Sequence, residues 1–172
     1  ILEGGQAAGK STALKVLAGG KRFFSDTMPE IGTKESFEHC VGPWIVEIAE
    51  LASMSKKDAE DAKKFISADS PRFRHSYARR TTEHPRRCVF AGTTNRKSYL
   101  VDSTGDRRYH PITVGVVELQ GLAAVRDQLW GEAVARYRKG EKWWIEDEAI
   151  KAAAVIEQSR RRNRDPWYDL VC

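Results

Sequence analysis

Gly4-Gly5-Gln6-Ala7-Ala8-Gly9-Lys10-Ser11 fits the pattern G-x-x-x-x-G-K-S/T, a glycine-rich loop whose backbone N–H groups cradle phosphate. Each position has a physical task. The glycines allow a tight turn and close backbone approach to phosphate oxygens, and Lys10 reaches the terminal phosphates. Ser11 offers a hydroxyl to Mg²⁺, and the helix that follows presents its positive end. The flanks agree: Ile1-Leu2-Glu3 reads as a buried strand, and Ser11 to Leu17 as a helix stopped by Gly19-Gly20. A glycine turn that matched by chance would not carry both. The nucleotide-binding set is therefore Gly4, Gly5, Gln6, Ala7, Ala8, Gly9, Lys10, Ser11 and Thr12.

The 172 residues suit one domain with a sizeable core, and 41% hydrophobic with 31% charged residues is a globular composition. No apolar run is long enough to span a membrane, and no signal segment opens the chain. The lack of an initiator Met and a start inside the first strand suggest a piece of a longer protein. Cys40, Cys88 and Cys172, scattered without C-x-x-C spacing, read as packed thiols in a reducing compartment. The four histidines are equally dispersed and suggest no metal site.

Net charge is +5, unevenly spread. Arg72 to Arg108 holds ten Arg or Lys residues against Glu83, Asp102 and Asp106, with Asp69 just upstream. A second basic run is Arg160-Arg161-Arg162-Asn163-Arg164. Both fit a polyanion partner, or more simply a solvated basic surface.

Beyond the first helix, Arg22 to Ser25 reads as a short strand, Lys34 to Cys40 as a helix, and Trp44 to Ile48 as a buried strand carrying one carboxylate. Ser55 caps a charged helix, Lys56 to Ile66. Ser67 to Pro85 is polar, Arg-rich and broken by Pro71 and Pro85, which fits a hairpin or irregular loop. Arg87 to Thr94 is the next buried strand, with Asn95 at its end, and Tyr109 to Val114 another. Glu118 to Arg138 reads as a long amphipathic helix with Leu119, Leu122, Val125, Leu129, Ala133 and Tyr137 on its apolar side. Glu146 to Arg162 forms the last helix. Strands alternating with helices after a phosphate loop predict a P-loop NTPase, an α/β fold with a mostly parallel central sheet flanked by helices. The core spans 1–145, and 146–172 holds the last helix and the start of a downstream segment.

Hydrolysis of a nucleoside triphosphate also needs a carboxylate for Mg²⁺ or water, a polar group on the terminal phosphate, and positive charge at the transition state. The acidic strand offers Glu47 and Glu50. Glu47 points opposite to Val46 and Ile48 and interrupts an apolar strand, which argues against a simple surface ion pair. Glu50, past the strand end, is the better water activator, leaving Glu47 either linked to Mg²⁺ or bonded to the groups that hold it. Asn95 either contacts the terminal phosphate or forms an Asx turn into Arg96-Lys97. Arg107-Arg108 is either a surface pair bonded to Asp102 or Asp106, or a phosphate contact reaching a neighbouring subunit.

Together these blocks resemble the virulence-associated E (VapE-like) family, whose ATPase domain is similar to superfamily 3 helicases of the AAA+ class. The likeness runs through Leu2 to Thr12, Trp44 to Leu51, Lys64 to Ser67 with Arg72-Phe-Arg74 and Tyr77, Cys88 to Asn95, and Tyr99 to Asp102 with Gly105 to Tyr109. It continues more faintly through Leu129-Trp130 and Lys142-Trp143-Trp144 to Asp165-Pro166-Trp167. The resemblance implies ATP and Mg²⁺ as cofactors, Asn95 as the phosphate sensor, and Arg107 or Arg108 as an arginine finger. It implies a loop, Lys63 to Arg80, that grips single-stranded DNA through Lys64, Arg72 and Arg74, with Phe73 and Tyr77 as stacking surfaces or as packing beneath it. Relatives carry glycine at position 7, where alanine pays for a positive φ. The acidic pair is also spaced Glu-x-x-Glu, not adjacent as in many AAA+ proteins.

The resulting expectation is an ATP-hydrolysing, DNA-binding motor active as a homo-oligomeric, hexameric ring in the cytoplasm of a bacterial or phage-infected cell. The alternative is a nucleotide-switched binding module that opens no duplex. A small-molecule kinase ranks last, because it leaves Asn95 and the basic loop without a task.

Overall fold

The computed structural model describes residues 1–49, 55–76, 78–101 and 108–163. In chain order the elements are β1 (Leu2–Glu3), α1 (Lys10–Leu17), β2 (Phe24–Ser25), α2 (Lys34–His39), β3 (Ile45–Ala49), α3 (Lys56–Ser67), β4 (Arg72–Phe73), β5 (Thr82–Glu83), β6 (Val89–Thr94), β7 (Ile112–Thr113), α4 (Leu119–Arg138) and α5 (Glu148–Arg160). Five strands form one sheet in the order β2-β3-β6-β1-β7, parallel throughout, and β4 pairs with β5 in a separate antiparallel hairpin. Because β6 lies between β1 and β3, the glycine loop after β1 emerges beside the end of β6.

Side-chain alternation divides the sheet into two covered faces. Leu2, Ile45 and Ala91 pack with Leu14 and Ala18 of α1 and with Phe24. On the other face Ile1 and Ile66 pack with Tyr99, Leu100 and Tyr109, and Phe90 of β6 meets Phe65 of α3 with ring centroids 5.2 Å apart. Glu47 has the parity of Ile45 and is in register with Ala91. The strand therefore aims its carboxylate at α1.

Local chemistry explains most boundaries. Ser55 and Asp58 form a reciprocal capping box at the start of α3, and Thr33 accepts from the Ser36 amide to cap α2. Trp44 lies just before β3 and is half exposed, stacked on Phe23 at 4.4 Å. Arg87 and Cys88 likewise precede β6. Cys88 is buried and Cys40 partly so, both as free thiols. Cys172 lies outside the described residues.

The expected apolar stripe on α4 is not buried. The helix forms where expected, yet no residue of it is buried, and Val125, Leu129 and Val134 are each at least 41% exposed. Val134 lies beside the expected stripe and is exposed as well. The helix is anchored to α1 locally: Trp130 Nε1 donates to the Leu17 carbonyl at 2.8 Å. Among the described residues, no helix is long and apolar enough to cross a membrane.

Candidate functional site

The glycine loop runs from β1 into α1 and lines a cleft of about 360 Å³ with Ala7, Ala8, Gly9, Lys10, Ser11, Thr12, Thr93, Thr94 and Asn95. Its shape depends on two unusual backbone positions. Gly9 has φ 84°, and Ala7 has φ 60°, the only positive value at a non-glycine among the described residues. At Gly4 the constraint is contact: a Cβ there would lie 2.4 Å from the Val114 carbonyl oxygen. The chain thus accepts a left-handed alanine in a loop already held tightly against β7's exit.

Lys10 is buried at 8% exposure. Its ammonium donates to the carbonyls of Gly4 (3.0 Å) and Gly5 (2.7 Å) and to Asn95 Oδ1 (2.7 Å). Three donors therefore have three acceptors. Asn95 thus turns its amide oxygen toward Lys10, while the Arg96 amide bonds Thr94 Oγ1 at 3.1 Å. An ammonium beside the amino end of a helix is an anion-binding arrangement.

Glu47 is 2% exposed, an interior position that no Lys or Arg among the described residues bridges. Its Oε1 accepts from Ser11 Oγ and from Thr93 Oγ1, each at 2.6 Å. Its Oε2 is buried and has no hydrogen-bond partner among the described residues. A buried anionic oxygen is costly unless something satisfies it, and next to a serine hydroxyl it suits a hard cation with oxygen ligands. Among the described residues no cluster of three or more His, Cys, Asp or Glu side chains is shaped to hold a metal alone. A cation here would need ligand oxygens to complete its shell. Glu47 lines a separate cavity of about 360 Å³ with Asp26, Glu30, Asp58 and Asp61, and it meets the lining of the glycine-loop cleft through Ser11 and Thr93.

Thr93 escaped the sequence reading. Its signal was parity: in β6 it shares a face with Ala91, which is paired with Glu47. A hydroxyl two residues beyond that pairing reaches the carboxylate.

The remaining expected residues are scattered. Glu50, Arg107 and Tyr77 lie outside the described residues. Arg108 donates from Nε to Ser67 Oγ at 2.7 Å and does not line the cleft. The basic segment is a hairpin only from Arg72 onward; Lys63 and Lys64 belong to the last turn of α3, which Ser67 closes by bonding the Lys63 carbonyl. Lys64 is exposed and pairs with Asp61 at 3.6 Å. Arg72 and Arg74 are exposed, whereas Phe73 is buried and stacked on His84 at 4.1 Å. Phe73 is therefore packing, not an open stacking surface. The hairpin base lines a cavity with Trp44 and Arg87, residues that lead into β3 and β6. It sits at the amino ends of these strands, the end of the sheet away from the glycine loop.

At the root of the loop, Glu3 receives Arg161 through Nε (2.6 Å) and Nη2, the Tyr99 hydroxyl (3.1 Å) and Thr113 Oγ1 (2.6 Å). Hydrogen bonding from Arg161, with Thr113 and Tyr99 adding to it, holds its pKa down at about 2. Burial and the adjacent Glu3 carboxylate push the Tyr99 phenol up. The sequence marked Arg161 only as part of a basic run; its buried pairing across 158 positions has no local signature.

Residues 1–163 match the family described as the Virulence-associated protein E-like domain. A search of the curated proteins found no match. Among solved structures, the A form apo structure of the NrS-1 C-terminal region is similar at 14% identity with a TM-score of 0.49, over 96% of this chain and 36% of that one. A second structure, residues 305–718 of the same region, gives 14% identity and a TM-score of 0.44, over 94% and 34%. The chain thus spans about a third of the length of the structures it matches.

Proposed function

Because the chain belongs to the virulence-associated protein E-like family, we propose that it is the ATPase core of a nucleic-acid motor, a P-loop NTPase of the AAA+, superfamily 3 helicase type. The observation that carries this reading is the meeting of Lys10 and Ser11 from α1, Glu47 from β3 and Asn95 just after β6 around a single glycine loop. The sheet order also supports it, since β6 delivers Asn95 beside the loop and β3 delivers Glu47 behind Ser11.

In this mechanism the loop amides and Lys10 bind the β- and γ-phosphates of ATP, and Lys10 exchanges a carbonyl partner for phosphate oxygen. Ser11 and Glu47 hold Mg²⁺, which neutralises charge on the phosphates when bound. Asn95 orients the terminal phosphate or the attacking water, and Glu50 accepts the water proton. Arg107 or Arg108 of a neighbouring copy meets the transition-state charge, a role worth about 10³- to 10⁵-fold in rate. Arg108's position away from its own cleft is compatible with action on a second copy. The exposed Arg72 and Arg74 on the hairpin, with Lys64 nearby, supply the contacts to single-stranded DNA in a homo-oligomeric, hexameric ring.

The test is ATP hydrolysis with and without single-stranded DNA. DNA should stimulate turnover, and Arg107→Ala with Arg108→Ala should abolish it without removing ATP binding. Full activity of that double variant at monomeric dilution would rule out the finger in trans. Binding should also weaken steeply with salt. Nucleotide-dependent DNA binding with no strand separation would instead favour a switched binding module.

A further inference from the structure

The C-terminal turn of α5 joins two places that the proposed mechanism keeps apart. Arg161 is 12% exposed and grips Glu3, the last residue before the glycine loop, with two nitrogens. One turn earlier, Gln158 is 3% exposed, the one buried residue of α5, and donates to the Tyr109 carbonyl at 2.9 Å. Tyr109 directly follows Arg108. The Arg161 carbonyl also accepts from the amides of Tyr99 (2.8 Å) and Leu100 (3.0 Å), and the Tyr99 hydroxyl returns to Glu3. Glu157 closes the node by accepting from Arg161 Nη1 at 2.6 Å.

The rest of α5 is otherwise largely exposed, with Ile150, Val155 and Ile156 all above half exposure. The helix is not held by an apolar face, so its polar end carries its attachment. A buried ion pair contributes little net stability compared with apolar packing but is costly to break on one side. Such a pair favours one arrangement of the groups it joins.

We propose that Arg161 is a positioning residue which, through Glu3, sets the root of the glycine loop and, through the same turn of α5, ties that loop to the segment bearing Arg108. In the ATPase reading on which its catalytic consequence rests, the link makes the phosphate loop of one copy and the finger offered to the next move together. The link itself stands on the geometry and does not require hydrolysis.

Hydrogen exchange on the intact chain tests it, read at residues 4–9 and at 108–110, since β1 itself holds the Ile112 and Val114 amides. Arg161→Gln should speed exchange at 108–110 as well as at 4–9. Gln158→Leu, which touches only the Tyr109 side, should speed exchange at 4–9, by roughly two- to thirtyfold. Arg161→Lys should restore part of the protection by keeping a charge on Glu3. If Arg161→Gln melts without cooperativity, Tyr99→Phe removes one bond to Glu3 and keeps the ring. Exchange confined to the mutated side in every variant would overturn the proposal, because a merely structural contact loosens only its own neighbourhood. In an active protein, Arg161→Gln should lower kcat more than it raises KM, and its effect should be non-additive with Arg108→Ala. Additive effects would again refute the link. A wild-type chain that hydrolyses no ATP but shows the paired exchange response would reject the ATPase reading and support the link.

Discussion

Replacing Ala7 with glycine should stabilise the protein, although glycine in a loop ordinarily does the opposite. Ala7 has φ 60°, a left-handed conformation that costs an L-residue with a Cβ about 1–2 kcal/mol. Glycine removes that strain but frees the unfolded chain, at a cost of about 0.4–1 kcal/mol. The balance is a gain of about 0.8 kcal/mol at the middle of these ranges and about 0–1.6 across them, so for a chain of this size the mid-range gain raises Tm by about 2–3 °C. Ala7→Val should move the other way, since a β-branched residue tolerates positive φ less well. The assay is thermal melting followed by circular dichroism, repeated with Mg²⁺ and ATP. In the proposed mechanism the relaxed loop also gains affinity, so the nucleotide-induced rise in Tm should be at least as large in Ala7→Gly. A lower Tm for Ala7→Gly together with an unchanged Ala7→Val would show that Ala7 does not hold this conformation.

Gly4→Ala places a Cβ 2.4 Å from the Val114 carbonyl; the backbone must shift, and urea unfolding should show a loss of about 1–3 kcal/mol. Thr93→Val removes one of two hydroxyls on Glu47 Oε1 and should cost about 1 kcal/mol, a small effect on folding that a calorimetric Mg²⁺-ATP titration should amplify. Stability should also fall in acid through Glu3. Its folded pKa of about 2 lies below the ordinary 4.5, so the Arg161–Glu3 contribution is complete above pH 4.5 and is lost as pH falls toward 2. Allowing for partial solvation, it amounts to about 2 kcal/mol. Glu3→Gln should flatten that stretch of the stability–pH curve, and an unchanged curve would contradict the assignment.

How much of this was legible in the sequence follows from the range of the forces involved. Local signals set the glycine loop, α1's glycine stop, the Ser55 cap and the alternation that aims Glu47 away from Val46 and Ile48, and all four appear in the structure where expected. The strand order supports the parallel α/β reading, because short strands separated by helices leave few other arrangements. Long-range partners were not legible. Nothing near Glu3 announces Arg161, and nothing in the run Arg160 to Arg164 marks Arg161 as the guanidinium that meets Glu3. The α4 stripe misled because periodicity reports which face is apolar, not whether a surface exists to cover it. The sequence places Lys63 and Lys64 on the helix Lys56 to Ile66, and only the family resemblance puts them in a DNA-gripping loop; the structure keeps both in α3. Thr93 needed the cross-strand register as well as its own alternation.

The most direct test of the central claim is Mg²⁺-dependent phosphate release from ATP by the wild-type chain and by Lys10→Ala, at a concentration that allows oligomers to form and with single-stranded DNA present. With Lys10 buried against Asn95 and the loop carbonyls, the wild type should turn over. Lys10→Ala should lose at least about a hundredfold in rate while keeping a cooperative melt. Equal phosphate release by the two proteins, or none from the assembled wild type, would contradict the account.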